Sequence, residues 1–75
     1  MNWNEMCKLE PKLVDLQREA DQELSDRSSP RFWRKYESIK AQVKRIVGYH
    51  AKNHEVLATR ECYDIAHDNV FRVMK

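Results

Sequence analysis

The sequence predicts an all-α fold, a small three-helix bundle with a short or kinked N-terminal helical segment, on three observations. The chain holds one Gly and two Pro in 75 residues, too few turn-formers for an all-β fold, which needs a turn every 8–12 residues or so. Its apolar residues recur at steps of three and four in three separate stretches. Polar breakers separate those stretches, so three amphipathic helices can bury one another's stripes. A chain this short allows one domain, residues 1–75, and a thin core without an internal active-site cavity.

The first segment begins with Asn2 as a helix cap and Glu5 reaching back to it, with Met1 and Met6 placed for a hydrophobic staple. Pro11 lacks an N–H and drives Glu10 from helical angles, so a break or kink falls at 9–11 and Pro11 opens the next helix. Leu9, Leu13, Leu16, Ala20 and Leu24 then fall within about 80° on a wheel of 100° per residue. Ser25-Asp26-Arg27-Ser28-Ser29-Pro30 is a breaker, with Ser29 as N-cap and Pro30 as first residue of the longest helix. There Phe32, Tyr36, Ile39, Val43, Ile46, Val47 and His50 form a stripe about 100° wide, with Trp33 at its edge. This helix is expected to run to Ala51 or Lys52, with Asn53 as a left-handed terminator. An end at Gly48 is the alternative, because Gly inside a helix costs about 1 kcal/mol against Ala. After the apolar link 56–58, Thr59 caps a last helix with Glu61 in its first turn and Arg72 and Lys75 in its last. Its stripe is Cys62, Tyr63, Ala66, Val70, Val73 and Met74. Ile65 and Phe71 lie about 120° to either side, so at least one of them is expected at a partner or dimer surface.

Charge is unevenly divided. The chain carries +2 overall, but residues 1–29 carry −3, residues 30–52 carry +6 and residues 53–75 carry −1. Opposite the apolar stripe of the longest helix lie Arg31, Arg34, Ser38, Gln42, Arg45 and Lys52, a face able to contact phosphates or acidic side chains. A charged outer face is also what any amphipathic helix carries, and Asp15, Glu19, Asp21, Glu23 and Asp26 are available to balance it. Against that reading, Arg31, Arg34 and Lys35 crowd a helix N-terminus, where the dipole is already positive and a sequence built for stability alone places acids. The run Phe32-Trp33-Arg34-Lys35-Tyr36 interleaves aromatics with cations. Phe32 and Tyr36 read as core, and Trp33 as a partly exposed hot-spot residue for protein or nucleic acid.

Other chemistry is weakly signalled. His50 and His54 have a metal-clasping spacing that Cys62 and His67 complete on paper, but no established zinc motif is present, so no metal is expected. No nucleophile with its base, carboxylate pair or phosphate-binding glycine loop can be assembled, so neither enzymatic activity nor a cofactor is expected. Cys7 and Cys62 read as small core residues in a reduced, cytoplasmic setting. No apolar run is long enough to span a membrane.

Three islands, Trp3-Asn4-Glu5-Met6-Cys7-Lys8-Leu9-Glu10-Pro11-Lys12-Leu13, Ile46-Val47-Gly48-Tyr49 and Tyr63-Asp64-Ile65-Ala66, resemble a set of short bacterial proteins without assigned activity. The resemblance implies a bacterial, phage or mobile-element origin and no function. Those proteins usually carry further cysteines toward the C-terminus, which this sequence lacks, so any role of such cysteines does not transfer.

The expected function is therefore a non-enzymatic interaction protein, a monomer or weak homodimer. It would bind a protein partner through Arg31, Trp33, Arg34, Lys35, Arg45, Lys52 and Phe71. The alternative is a nucleic-acid-binding module using the same basic face.

Overall fold

A computed structural model describes residues 2–53 and 60–75, with the backbone alone in residues 49–53. Its described residues form helices and no strands. Helix α1 spans Trp3–Leu9, α2 Lys12–Glu23, α3 Phe32–Asn53 and α4 Arg60–Val70, followed by a 3-10 turn at Arg72–Met74. Helices α2, α3 and α4 pack against one another as the bundle, and α1 lies on α2 and α4. The molecule measures 39 × 19 × 18 Å. Its length is set by α3, which at about 1.5 Å per residue runs roughly 33 Å.

Each boundary has a local cause. The Asn2 side-chain oxygen accepts the Glu5 backbone N–H at 2.9 Å, and the Asn2 amide donates to the Glu5 carboxylate at 3.2 Å. Glu5 thus reaches back to the side chain of its cap, whereas in the usual capping box it takes the cap's backbone N–H. Glu10 leaves helical angles at φ −140°, ψ 89°, as a residue before proline does, and Pro11 at φ −60°, ψ −21° leads into α2. The junction is a break, and it leaves Leu9 42% exposed although Leu13, Leu16, Ala20 and Leu24 of the same expected stripe are buried. Between α2 and α3, Asp26 accepts from the backbone N–H and hydroxyl of Ser28 at 2.9 and 2.6 Å. Ser29 then receives the Arg31 N–H on its hydroxyl at 3.3 Å and the Phe32 N–H on its carbonyl at 3.1 Å. Helix α3 passes through Gly48, so it does not end there, and Asn53 is its last described residue. The expected cap Thr59 and staple residue Met1 lie outside the described residues.

The end of α4 departs from expectation. A helix continued to Lys75 would place the Val73 N–H on the carbonyl of Asn69, but Gln17 of α2 donates its side-chain amide to that carbonyl at 3.0 Å. Phe71 then turns out of the helix at φ −98°, ψ 27°, and the Met74 N–H bonds the Phe71 carbonyl at 3.0 Å in 3-10 fashion. Arg72 and Lys75 therefore lie beyond α4. Arg72 pairs with Asp21 at 2.6 Å, Lys75 with Asp68 at 3.5 Å, and Arg27 donates to the Met74 carbonyl at 3.0 Å.

The core joins all four helices, with Met6 from α1, Leu13 and Leu16 from α2, Phe32, Ile39 and Val43 from α3, and Ala66 and Val70 from α4 buried together. Leu16 is 2% exposed, so Leu16→Ala should cost about 2–5 kcal/mol in urea unfolding. A loss below about 1 kcal/mol would place Leu16 at the surface. A β-carbon on Gly48 would meet no atom within 4 Å, so Gly48→Ala should stabilise the protein by about 1 kcal/mol. A destabilised Gly48→Ala variant would show that α3 does not continue through this position.

Candidate functional site

The outer face of α3 follows from helix geometry. Arg34 and Arg45, eleven residues apart, differ by about 20° on the wheel and stand about 16 Å apart along the axis, with Arg31 about 60° round from Arg34. All three are exposed, and among the described residues none has an ion-pair partner. Ser38 is exposed, and Gln42 donates its side-chain amide to the Ser38 carbonyl at 3.4 Å. Lys35 is different. It is partly buried and pairs with Glu19 of α2 at 3.7 Å, so one cation of the expected cluster is engaged by the neighbouring helix at the surface. Lys52 belongs to α3, but its side chain lies outside the described residues.

The acids of α2 and of the link after it leave the arginines without an ion pair among the described residues. Glu19 meets Lys35, Asp21 meets Arg72, and the Asp26 carboxylate is held by Ser28, whose hydrogen bonds lower its pKa. No acidic residue occupies the first turn of α3, so the positive charge at its N-terminus stands.

Trp33 is 55% exposed. Its ring packs edge-on against Phe32 at 4.8 Å and Tyr36 at 5.8 Å, contacts that fix the indole in place while leaving much of it to solvent. Phe71, expected at the surface, is 3% exposed and belongs to the core. The turn after Val70 carries its ring inward, to 4.9 Å from Tyr36 and 4.7 Å from His67. Ile65 is half-buried.

Sequence reasoning missed a group of rings beside Trp33. Tyr36 and His67 share a hydrogen bond of 3.3 Å across α3 and α4, and Tyr63 lies 6.1 Å from the His67 ring. The Lys40 ammonium stands 5.6 Å over the Tyr36 ring. All four residues are partly exposed. The available signal was residue type: tyrosine and histidine at stripe edges bury their bodies and keep a polar tip at the surface.

Cys62 is buried and Cys7 partly so, and neither is in a disulfide. Burial pushes the Cys7 thiol up, which disfavours the reactive thiolate. Among the described residues no three His, Cys, Asp or Glu side chains gather to hold a metal ion; His50 and His54 lie outside the described side chains. No described helix is long and apolar enough to cross a membrane. No protein-family model, curated protein or solved structure matches the chain.

Burial pulls the His67 imidazole below its ordinary value of 6.5, with Lys40 and Lys75 acting in the same direction and Asp68 and Asp64 opposing. Because the unfolded chain then binds the proton more readily, the stabilising effect of neutral His67 is complete above about pH 6.5 and is lost as pH falls. Urea unfolding from about pH 7.5 to about pH 5.5 should show stability decreasing, and decreasing less in His67→Gln. Equal slopes in the two proteins would mean that His67 titrates as it does in the unfolded chain.

Proposed function

Taken together, the exposed arginines and Trp33 present a charged and aromatic surface on an otherwise closed bundle, and from this premise we propose a non-enzymatic, cytoplasmic interaction protein. It binds an acidic surface of a partner protein through the outer face of α3, with Arg31, Arg34 and Arg45 as charge contacts and Trp33 as anchor. One observation carries the reading: these three arginines are exposed and unpaired among the described residues, whereas Lys35 and Arg72 are held by acids of the same chain. Arginine beside exposed tryptophan is the composition of binding hot spots. Lys35 adds to the field from the bundle side and Lys52 extends the face by register, while Phe71 serves the core. The protein acts as a monomer or weak homodimer.

A nucleic-acid partner is the second reading, favoured by the exposed Ser38 and by Gln42 on the same arginine face, which add neutral donors to the cations. The protein reading ranks first because a net charge of +2 and acidic segments on both sides of α3 oppose general attraction to a polyanion.

Arg34→Glu combined with Arg45→Glu tests the choice. The double variant should keep its helical circular dichroism and melting temperature, since exposed charges contribute little to stability. It should lose the protein partner captured by the wild type from nuclease-treated lysate, while wild-type binding to nucleic acid stays weak and salt-labile. Retention of that partner would sink the proposal. Tight nucleic-acid binding at physiological salt, with a salt dependence made shallower by the double substitution, would put the second reading in its place.

A further inference from the structure

One acid interrupts the basic face of α3. Glu37 is the single Asp or Glu among residues 30–52, and its side chain is exposed. Cations surround it by register. Arg34 comes three residues before and Lys40 three after, separations at which helix side chains meet, and Lys44 follows two turns on. None of them holds it, since among the described residues Glu37 has no ion pair. The Lys40 ammonium stands instead over the Tyr36 ring, 5.6 Å from its centroid.

Position makes this carboxylate part of the binding face. Glu37 follows Trp33 by four residues, about 40° round and about 6 Å along the axis. Helix side chains lean toward the N-terminus, so Glu37 lies over the turn that carries Trp33, the 55% exposed anchor of the proposed contact. A partner that covers the indole also takes Glu37 out of water. An ionised group desolvated without a partner is costly, so the covering surface must bring a cation to it. A protein surface can set one basic group for Glu37 among acidic groups for Arg31, Arg34 and Arg45. The backbone of a nucleic acid brings a further anion instead.

We infer that Glu37 sets the partner class of the α3 face: it receives a lysine or arginine that the partner carries among its acidic groups, and it repels the backbone of a nucleic acid. The inference rests on the proposed protein-binding role of α3 and specifies the charge pattern of the partner. Selectivity of this kind works by penalising the wrong partner as well as by favouring the right one.

Glu37→Gln tests this beside Glu61→Gln, which makes the same change of charge at an exposed position of α4. The probes, titrated into the full chain at low salt, are oligothymidylate and a blocked pentapeptide with lysine between two pairs of aspartates, compared with the same peptide carrying norleucine for lysine. The wild type should bind the lysine peptide at least about threefold more tightly than the norleucine peptide, the scale of one exposed ion pair. That preference should vanish in Glu37→Gln and persist in Glu61→Gln. Oligothymidylate should bind Glu37→Gln at least about threefold more tightly than the wild type, and Glu61→Gln much as the wild type. Should either variant fail to fold, the wild-type peptide comparison decides. Equal binding of the two peptides by the wild type, a lysine preference that survives Glu37→Gln, or equal gains for oligothymidylate in the two variants overturns the role of Glu37. If peptide binding is then still lost in Arg34→Glu with Arg45→Glu, the basic-face reading survives without it. A wild type that binds neither peptide overturns both.

Discussion

The closure of the seam between α3 and α4 determines which surface this protein presents. Two features at the end of α4 set it: Gln17 donates to the Asn69 carbonyl, and the chain turns at Phe71. With its ring against Tyr36 and His67, Phe71 fills the space that the inner edge of α3 would otherwise leave open. In so short a chain the buried fraction is small, and a single aromatic side chain is a large share of it. The strap that follows is tied down by Arg72 on Asp21 and by Arg27 on the Met74 carbonyl, so the turn is held from both sides.

Two faces of α3 then do separate work. Phe32, Ile39 and Val43 are wholly buried and supply the stabilising contacts, while Arg31, Arg34 and Arg45 take no described ion pair and contribute little to folding. Arg31 and Arg34 stand at the helix N-terminus, where positive charge opposes the macrodipole. A local conflict of this kind, uncorrected by Asp26 or by an acidic first turn, supports the binding face proposed for α3, since such violations of local stability rules concentrate at functional sites. Trp33 completes it, because a large exposed aromatic held edge-on by two neighbours presents apolar area with little conformational freedom left to lose.

Much of the frame was legible from periodicity alone. Leu13, Leu16, Ala20 and Leu24, and Ile39 with Val43, are buried as their spacing requires, and Trp33 is exposed as its angle requires. Leu9 fitted the same wheel but belongs to α1, and the break at Glu10 rotates it out of the stripe. Phe71 was misplaced for the converse reason: a wheel assumes that the helix continues, whereas α4 ends at Val70, and the Asn69 carbonyl at that end is held by Gln17, fifty-two residues away, where no local pattern records it. The group of rings was hidden by the same limit, since Tyr36 and Tyr63 each read as stripe residues on their own helices and only the α3–α4 packing brings Tyr36 to His67.

Stability of paired aromatic variants tests this arrangement most directly. By urea unfolding at neutral pH, Phe71→Ala should lose about 3–5 kcal/mol as a buried aromatic does. Trp33→Ala should lose only about 1 kcal/mol, the worth of its edge contacts. The reverse order, with Trp33→Ala the more damaging and Phe71→Ala nearly neutral, would place Phe71 at the surface and Trp33 in the core, and would contradict the assignment of the binding face to α3.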